Sequence, residues 1–300
     1  MIVVFGSINI DQVYQMKALP RPGETVLGSS YIQVPGGKGG NQALTARRAG
    51  ANVKMVGAVG QDANADPALS LLQSDGVDLD AILRTGSPTG CASIWVDQKA
   101  ENSIVVVSGA NKEARADQLK PFVLEGARYL LLQMEVSAQE NWKAIKAAKA
   151  AGVKSILNLA PIGNIPEAVL KDLDYLVVNE VEAEAIASQL GLTKLTQDEL
   201  VVEIAGRYDL CCVLTLGSQG VIAAEEGWII RVKAMPVKPV DTTAAGDSFI
   251  GGFAAALSEG KSLEDALKFG TATAGLTCTV AGAQSSLPQR PEIENALKAL

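Results

Sequence analysis

Residues 129–159, YLLLQMEVSAQENWKAIKAAKAAGVKSILNL, contain a strand, a helix and a second strand in one continuous reading. The two ends, 129–132 and 155–159, are short apolar runs of the kind buried in a parallel sheet. Between them Ser137 and Glu140 have the spacing of a capping box, Trp142, Ile145 and Ala148 fall on one helical face, and Gly152 supplies a residue that ends the helix. Further apolar runs at 175–178 and 211–216 continue the alternation. The chain from about residue 129 onward therefore reads as βαβ units: an α/β fold with a central, mainly parallel sheet flanked by helices. Right-handed crossovers set the carboxyl ends of such strands along one rim, where open α/β sheets take their ligands.

Two regions break that rhythm, roughly 12–34, with Pro20, Pro22 and Gly23, and roughly 90–108, with 91–96 and 104–107 as a hairpin. Neither carries a helix to cover it. They are expected to form a small β-sheet inserted in a single domain of residues 1–300 and able to act as a lid. An apolar lid leaves an edge and a face that proteins usually cover, so a homodimer joined through the lid is expected.

The composition excludes several functions. The chain has 300 residues, 48% hydrophobic and 20% charged, with a formal net charge of −7, which argues against nucleic acid as a partner. It has no histidine, so Ser-His-Asp and Cys-His systems and His-ligated metals are out of reach, and proton transfer falls to Asp, Glu, Lys, Tyr or Cys. Cys91, Cys211, Cys212 and Cys278 lie in apolar runs without C-x-x-C spacing and read as structural thiols of a reducing compartment. The first residues, MIVVFG, suit a buried strand rather than a signal peptide, and Thr, Gln, Ser and Pro interrupt the uncharged stretch 269–289, so no membrane span is expected. A soluble, cytoplasmic protein follows.

The stretch Asp241-Thr242-Thr243-Ala244-Ala245-Gly246-Asp247 opens into the apolar run Phe249, Ile250, Phe253, Ala254 and Leu257. Small residues at a helix N-terminus leave amides bare for an anion. Asp247 beside that cradle has two readings: a base for an attacking hydroxyl, or an acid that only satisfies first-turn amides. Gly36-Gly37-Lys38-Gly39-Gly40-Asn41-Gln42 precedes a helix expected from about 41 to 49. It reads either as a phosphate loop that departs from the Walker spacing or as a flexible turn capped by Asn41. Amides such as Asn41 suit a polyol, donating to one hydroxyl and accepting from another. Asn9 and Asp11, one residue apart, can point to one side of a sheet, and Glu135 sits just past a strand end. Asn179 and Glu182 are spaced either to place an acid beside hydrated Mg²⁺ or to close a capping box. Thr215 to Gly220 ends another strand with a tight turn.

Taken in order, these motifs resemble the ribokinase-like (PfkB) family of carbohydrate kinases. Those carrying the resemblance include 6–11, 22–25, 36–42, 133–135, 158–161, 179–182, 215–220, 241–247 and 282–286. The resemblance implies transfer of the ATP γ-phosphoryl group to a sugar hydroxyl, the 5-hydroxyl of D-ribose being the leading acceptor. It makes Asp247 the base, with Ala245, Gly246 and Asp247 lending amides to the transferring group, a task mainly of alignment and charge stabilisation. It assigns the sugar to Asn9, Asp11, Gly37, Lys38, Asn41, Glu135 and Asp247, and the nucleotide to Asn179, Thr215, Gly217, Gly220, Gly246 and Thr271. It also assigns Mg²⁺ to Glu182 through water, and an activating K⁺ to Asp241, Thr243, Thr277, Val280, Gly282 and Ser286. Two positions depart from the family pattern. Ala244 adds a methyl group where Gly is frequent, and Thr271 is shorter than the Asn or His common near adenine.

Two other functions stand beside this one. Another pentose, deoxyribose or a nucleoside shares much of the hydroxyl pattern, and a catalytically silent sugar-binding protein would keep the pocket but release no ADP. A dinucleotide-dependent oxidoreductase lacks its G-x-G-x-x-G after the first strand.

Overall fold

The computed structural model describes residues 1–99 and 101–300; Ala100, inside the span 90–108, lies outside the described residues. The strands are β1 (Ile2–Phe5), β2 (Asn9–Met16), β3 (Gly28–Gly36), β4 (Val53–Gly60), β5 (Asp78–Thr85), β6 (Gly90–Val96), β7 (Asn102–Val107), β8 (Tyr129–Leu132), β9 (Lys154–Asn158), β10 (Tyr175–Asn179), β11 (Cys211–Thr215), β12 (Val221–Glu225) and β13 (Trp228–Val232). The helices are α1 (Lys38–Arg48), α2 (Ala65–Ser74), α3 (Pro121–Leu124), α4 (Ala138–Ala150), α5 (Glu167–Leu170), α6 (Glu180–Leu190), α7 (Gln197–Tyr208), α8 (Ala245–Ser258), α9 (Leu263–Thr277) and α10 (Arg290–Ala296).

Nine strands form one sheet in the order β13-β12-β11-β10-β9-β8-β1-β4-β5, parallel from β5 to β11 and antiparallel only over β12 and β13. The alternation of the strands explains why both faces are covered. In β1, Ile2 and Val4 enter one core with α1, α2, α8 and α9, while Val3 and Phe5 enter another with α4, α6 and α7. Tyr129 and Leu131 against Leu130 and Leu132, and Tyr175 and Val177 against Leu176 and Val178, divide the same way. Continuous apolar strands are what a sheet buried on both sides requires. The chain runs from β1 to β4 on one side and to β8 on the other, so the order reverses at β1, and the carboxyl ends there open a crevice.

The remaining four strands make a second sheet in the order β3-β2-β6-β7, two antiparallel hairpins joined by the parallel pair β2–β6. Its register aligns Ile32, Val13, Ile94 and Ile104 as one row across all four strands, on the same face as Asp11.

Two local expectations fail. The Ser137 side chain makes no cap; Glu140 is drawn instead to the Ala116 N–H, which donates to it at 2.8 Å, and to Lys143 Nζ at 2.7 Å. Helix α1 starts at Lys38 rather than near Asn41, because Gly37 at φ 86° turns the chain directly into the helix. Asn41 is thereby released from capping.

Candidate active site

The run 36–40 is pinned against the end of β1. The Gly40 N–H donates to the Ser7 carbonyl at 2.9 Å, and a Cβ on Gly39 would lie 2.6 Å from the Ser7 nitrogen. A Cβ on Gly37 would lie 2.8 Å from the Asn9 nitrogen. These glycines therefore serve close packing, so the turn is not the flexible one that Asn41 would cap. The junction sets Lys38 at the crevice and its N–H on Glu135 Oε2 at 3.0 Å, where the Ser7 hydroxyl also donates at 2.6 Å.

From the second sheet, β2 brings Asn9 and Asp11 to the same place. Asn9 is fixed by Asn111, whose Nδ2 donates to its Oδ1 at 2.7 Å and whose Oδ1 accepts the Ile8 N–H at 2.9 Å. Asp11 is buried, and its Oδ1 has no partner among the described residues. Burial, then the carboxylates of Glu135 and Asp247, push Asp11 from its ordinary 3.8 up to about 7. The Asp247 carboxylate, joined by Glu135 and Glu182, holds Lys38 above its ordinary range against the opposing effect of burial.

Opposite lies the N-terminus of α8. Ala244 caps it in the left-handed region at φ 61°, and Gly246 faces open space: a Cβ there would meet nothing within 4 Å. Protein packing thus makes no demand for glycine at 246. Asp247 is 6% exposed and does not cap its own helix. Asn41 Nδ2 donates to its Oδ2 and Gln42 Nε2 to its Oδ1, both at 3.0 Å. A cleft of about 250 Å³ runs past it, lined by Lys38, Asn158, Asn179, Glu182, Thr215 and Ala244 to Asp247. Asn179 and Glu182 do close a capping box, the Asn179 N–H donating to Glu182 Oε2 at 2.8 Å, and both also face the cleft. The two readings of that pair are therefore compatible. Burial pushes the Glu182 carboxyl upward.

Other expected residues stand apart from that cleft. Gly217 and Gly220 form the turn after β11, and a Cβ on Gly220, at φ 102°, would collide with the Val232 carbonyl. Thr271 is buried within α9. Asp241 joins two segments, accepting the Thr243 N–H on Oδ1 and the Gly282 N–H on Oδ2, both at 2.9 Å. Burial pushes Asp241 upward, but the Gly282 and Thr243 amides outweigh it and hold the carboxyl below its ordinary range. Thr277 and Ser286 are buried with hydroxyls donating to the Thr273 and Ala283 carbonyls, whereas the Val280 side chain is exposed.

Three residues with no role in the sequence reading complete the floor. Gln42, Gln133 and Asn158 are buried amides linked to one another and to Asp247. Their signal was polarity at core-facing positions: Gln133 just past β8 and Asn158 at the end of β9, each closing an apolar strand.

The profile described as pfkB family carbohydrate kinase matches residues 1–290. The chain belongs to the pfkB family of carbohydrate kinases. Among pfkB relatives it is 36% identical to the ribokinase of Haemophilus influenzae, over 97% of this chain and 96% of that one. Its fold superposes on the ribokinase of Thermotoga maritima with a TM-score of 0.92 at 36% identity, covering 99% of each chain. The Arabidopsis thaliana ribokinase, solved with ribose and ATP, gives a TM-score of 0.89 at 33% identity over 99% of this chain and 98% of that one. The mainly parallel sheet, its helices and the small second sheet are thus a pfkB-family architecture.

Proposed function

We propose that this chain transfers the γ-phosphoryl group of ATP to the 5-hydroxyl of D-ribose. The observation that carries the reading is a buried Asp247 with both carboxylate oxygens fixed by amides, set beside the open Gly246 at a helix N-terminus. The ribokinase relatives, and the complex of one of them with ribose and ATP, support the choice of acceptor and donor.

Ribose lies between Asn9, Asp11, Gly37, Lys38, Asn41 and Glu135, a set of donors and acceptors suited to adjacent hydroxyls. Among the described residues Asp11 Oδ1 and Asn41 Oδ1 have no hydrogen-bond partner, which suits both to accept from sugar hydroxyls. ATP lies along the cleft by Asn179, Thr215 and Ala244 to Asp247, and Gly217, Gly220 and Thr271 are its further contacts by family resemblance alone. Asp247 accepts the proton of the 5-hydroxyl late, once bonding to phosphorus has made it acidic. The Ala245 and Gly246 amides and the Lys38 cation stabilise charge on the transferring group.

The buried Glu182 carboxylate at the cleft suits Mg²⁺ held through water, which when bound neutralises phosphate charge. At Asp241, Thr243, Thr277, Val280, Gly282 and Ser286, a carboxylate and backbone carbonyls would supply the all-oxygen set that K⁺ takes. The Asp241 carboxylate joins the loop leading into α8 to the one after α9, so a cation held there would steady the α8 N-terminus. The exposed row of Ile32 and Ile104 supports a homodimer through the lid sheet. The four free cysteines support a reducing, cytoplasmic setting, and no helix among the described residues is long and apolar enough to cross a membrane.

The test is ADP release with ATP, Mg²⁺ and K⁺ across ribose, deoxyribose, fructose, adenosine and a blank. Ribose should turn over fastest, and Asp247→Asn should lower kcat by about 10²- to 10⁴-fold. Faster turnover of adenosine, or an unimpaired Asp247→Asn, would overturn the reading.

A further inference from the structure

We propose that Gln42 is the positioning residue for Asp247, and that Gln133 and Asn158 hold Gln42 in its working orientation. This rests on the kinase reading of Asp247. Gln42 is fully buried on α1, is not among the residues lining the cleft, and reaches the chemistry only through the carboxylate. Its Nε2 donates to Asp247 Oδ1 at 3.0 Å and to Asn158 Oδ1 at 3.3 Å, and its Oε1 accepts from Gln133 Nε2 at 2.7 Å.

That arrangement works in one direction only. A flipped Gln42 amide would set its oxygen against two acceptors, Asp247 Oδ1 and Asn158 Oδ1, and its NH₂ against the NH₂ of Gln133. Gln133 packs its Oε1 against Gly6, in the space a side chain there would need. Helix α8 closes on α1 through Gly251, where a Cβ would lie 2.8 Å from the Gln42 carbonyl oxygen. The other donor to Asp247, Asn41, belongs to the proposed sugar site and is shared with the ligand. Gln42 is then the partner that keeps the carboxylate plane fixed whether sugar is present or absent, and alignment is what phosphoryl transfer asks of the protein.

The experiment compares wild type with Gln42→Met, Gln42→Glu and Gln133→Met in ribose-dependent ADP release, with thermal melting of each. Gln42→Met should lower kcat by about 10- to 100-fold, the scale of a misplaced reacting group, with less than about threefold change in KM for ribose or ATP. In Gln42→Glu the introduced carboxyl repels Asp247 when ionised and restores an O–H donor to Oδ1 when protonated. Its kcat relative to wild type should therefore rise as pH falls. Asp247, Lys38, Asp11, Glu135 and Glu182, the charged groups around the site, are common to both proteins, so the ratio reports the new carboxyl. A loss of packing alone would not give a rescue that depends on pH. If Gln42→Met does not fold, Gln133→Met tests the same chain one step back, with a kcat loss of about 3- to 10-fold and unchanged KM. A kcat within about twofold of wild type in the folded variants, or a ratio flat with pH, would overturn the role of Gln42 alone. Wild type without ribose-dependent turnover would overturn the kinase reading as well.

Discussion

The floor of the site and the sheet that faces it are built on opposite terms. On the floor, Asp247, Gln42, Asn158 and Gln133 are all buried and linked amide to carboxylate from four elements or their ends. In the facing sheet, every residue of β7 is exposed, and Leu27 before β3 is 92% exposed. Atoms that take part in chemistry need fixed places in a dry setting, where a hydrogen bond is worth more. A surface that must close over a ligand, or meet a second copy, keeps its apolar area uncommitted until then.

Asp11 sits on the seam, since its backbone belongs to the exposed sheet and its carboxyl to the buried floor. The largest effect across the comparison is therefore expected there. Asp11→Asn removes a charged acceptor for a sugar hydroxyl and should raise the KM for ribose by about 10- to 100-fold. The same change should stabilise the ligand-free protein at alkaline pH. With its pKa raised to about 7 against an ordinary 3.8, the folded protein keeps the Asp11 proton over a window in which the unfolded chain has lost it. Stability from this group is thus full below about pH 4 and is lost as pH rises toward 7. Melting at pH 8 should show Asp11→Asn ahead by on the order of 2 kcal/mol, with the gap closing near pH 4. A gap that stays constant with pH would mean that Asp11 is no more strained than any surface acid.

A smaller effect tests the other side of the seam. Ile104 ends the row Ile32, Val13, Ile94 and Ile104, and is 51% exposed. Ile104→Asp places a charge in that row, and the mass in solution should fall to that of one chain while the melting of the main domain is little changed. Should the wild type already be a monomer at micromolar concentration, the exposed row would be a lid surface without a partner.

How much of this could be read from the sequence follows the same division. The β8–α4–β9 unit was legible because its pattern is local: apolar strands of four or five residues and a helix between them. The helix starts were less so. Glu140 looked like the partner of Ser137, yet an amide 24 residues earlier claims it. Four glycines in the run 36–40 disguise a helix that begins at Lys38, because the gain from packing on Ser7 exceeds their poor helix propensity. Asp247 announced itself through its small neighbours. Gln42 did not, since its meaning lies in a contact 205 residues away, and no spacing rule spans that distance.

The smallest effect concerns Ala244, whose methyl group departs from the family pattern. At φ 61° it occupies a conformation that costs an L-residue about 1–2 kcal/mol and glycine almost nothing. Ala244→Gly relieves that strain, but the unfolded chain gains freedom worth about 0.4–1 kcal/mol, and a half-buried methyl in contact with the core is lost. The balance is a stabilisation of about 0.5 kcal/mol, close to 1 °C in Tm for a domain of this size. Turnover should stay within about twofold, because the amides of Ala245 and Gly246 are set by α8 and its packing on α1 rather than by the cap itself. A measurable fall in Tm would show that the methyl contact outweighs the strain, which would make the α8 N-terminus part of the packed floor down to its first residue.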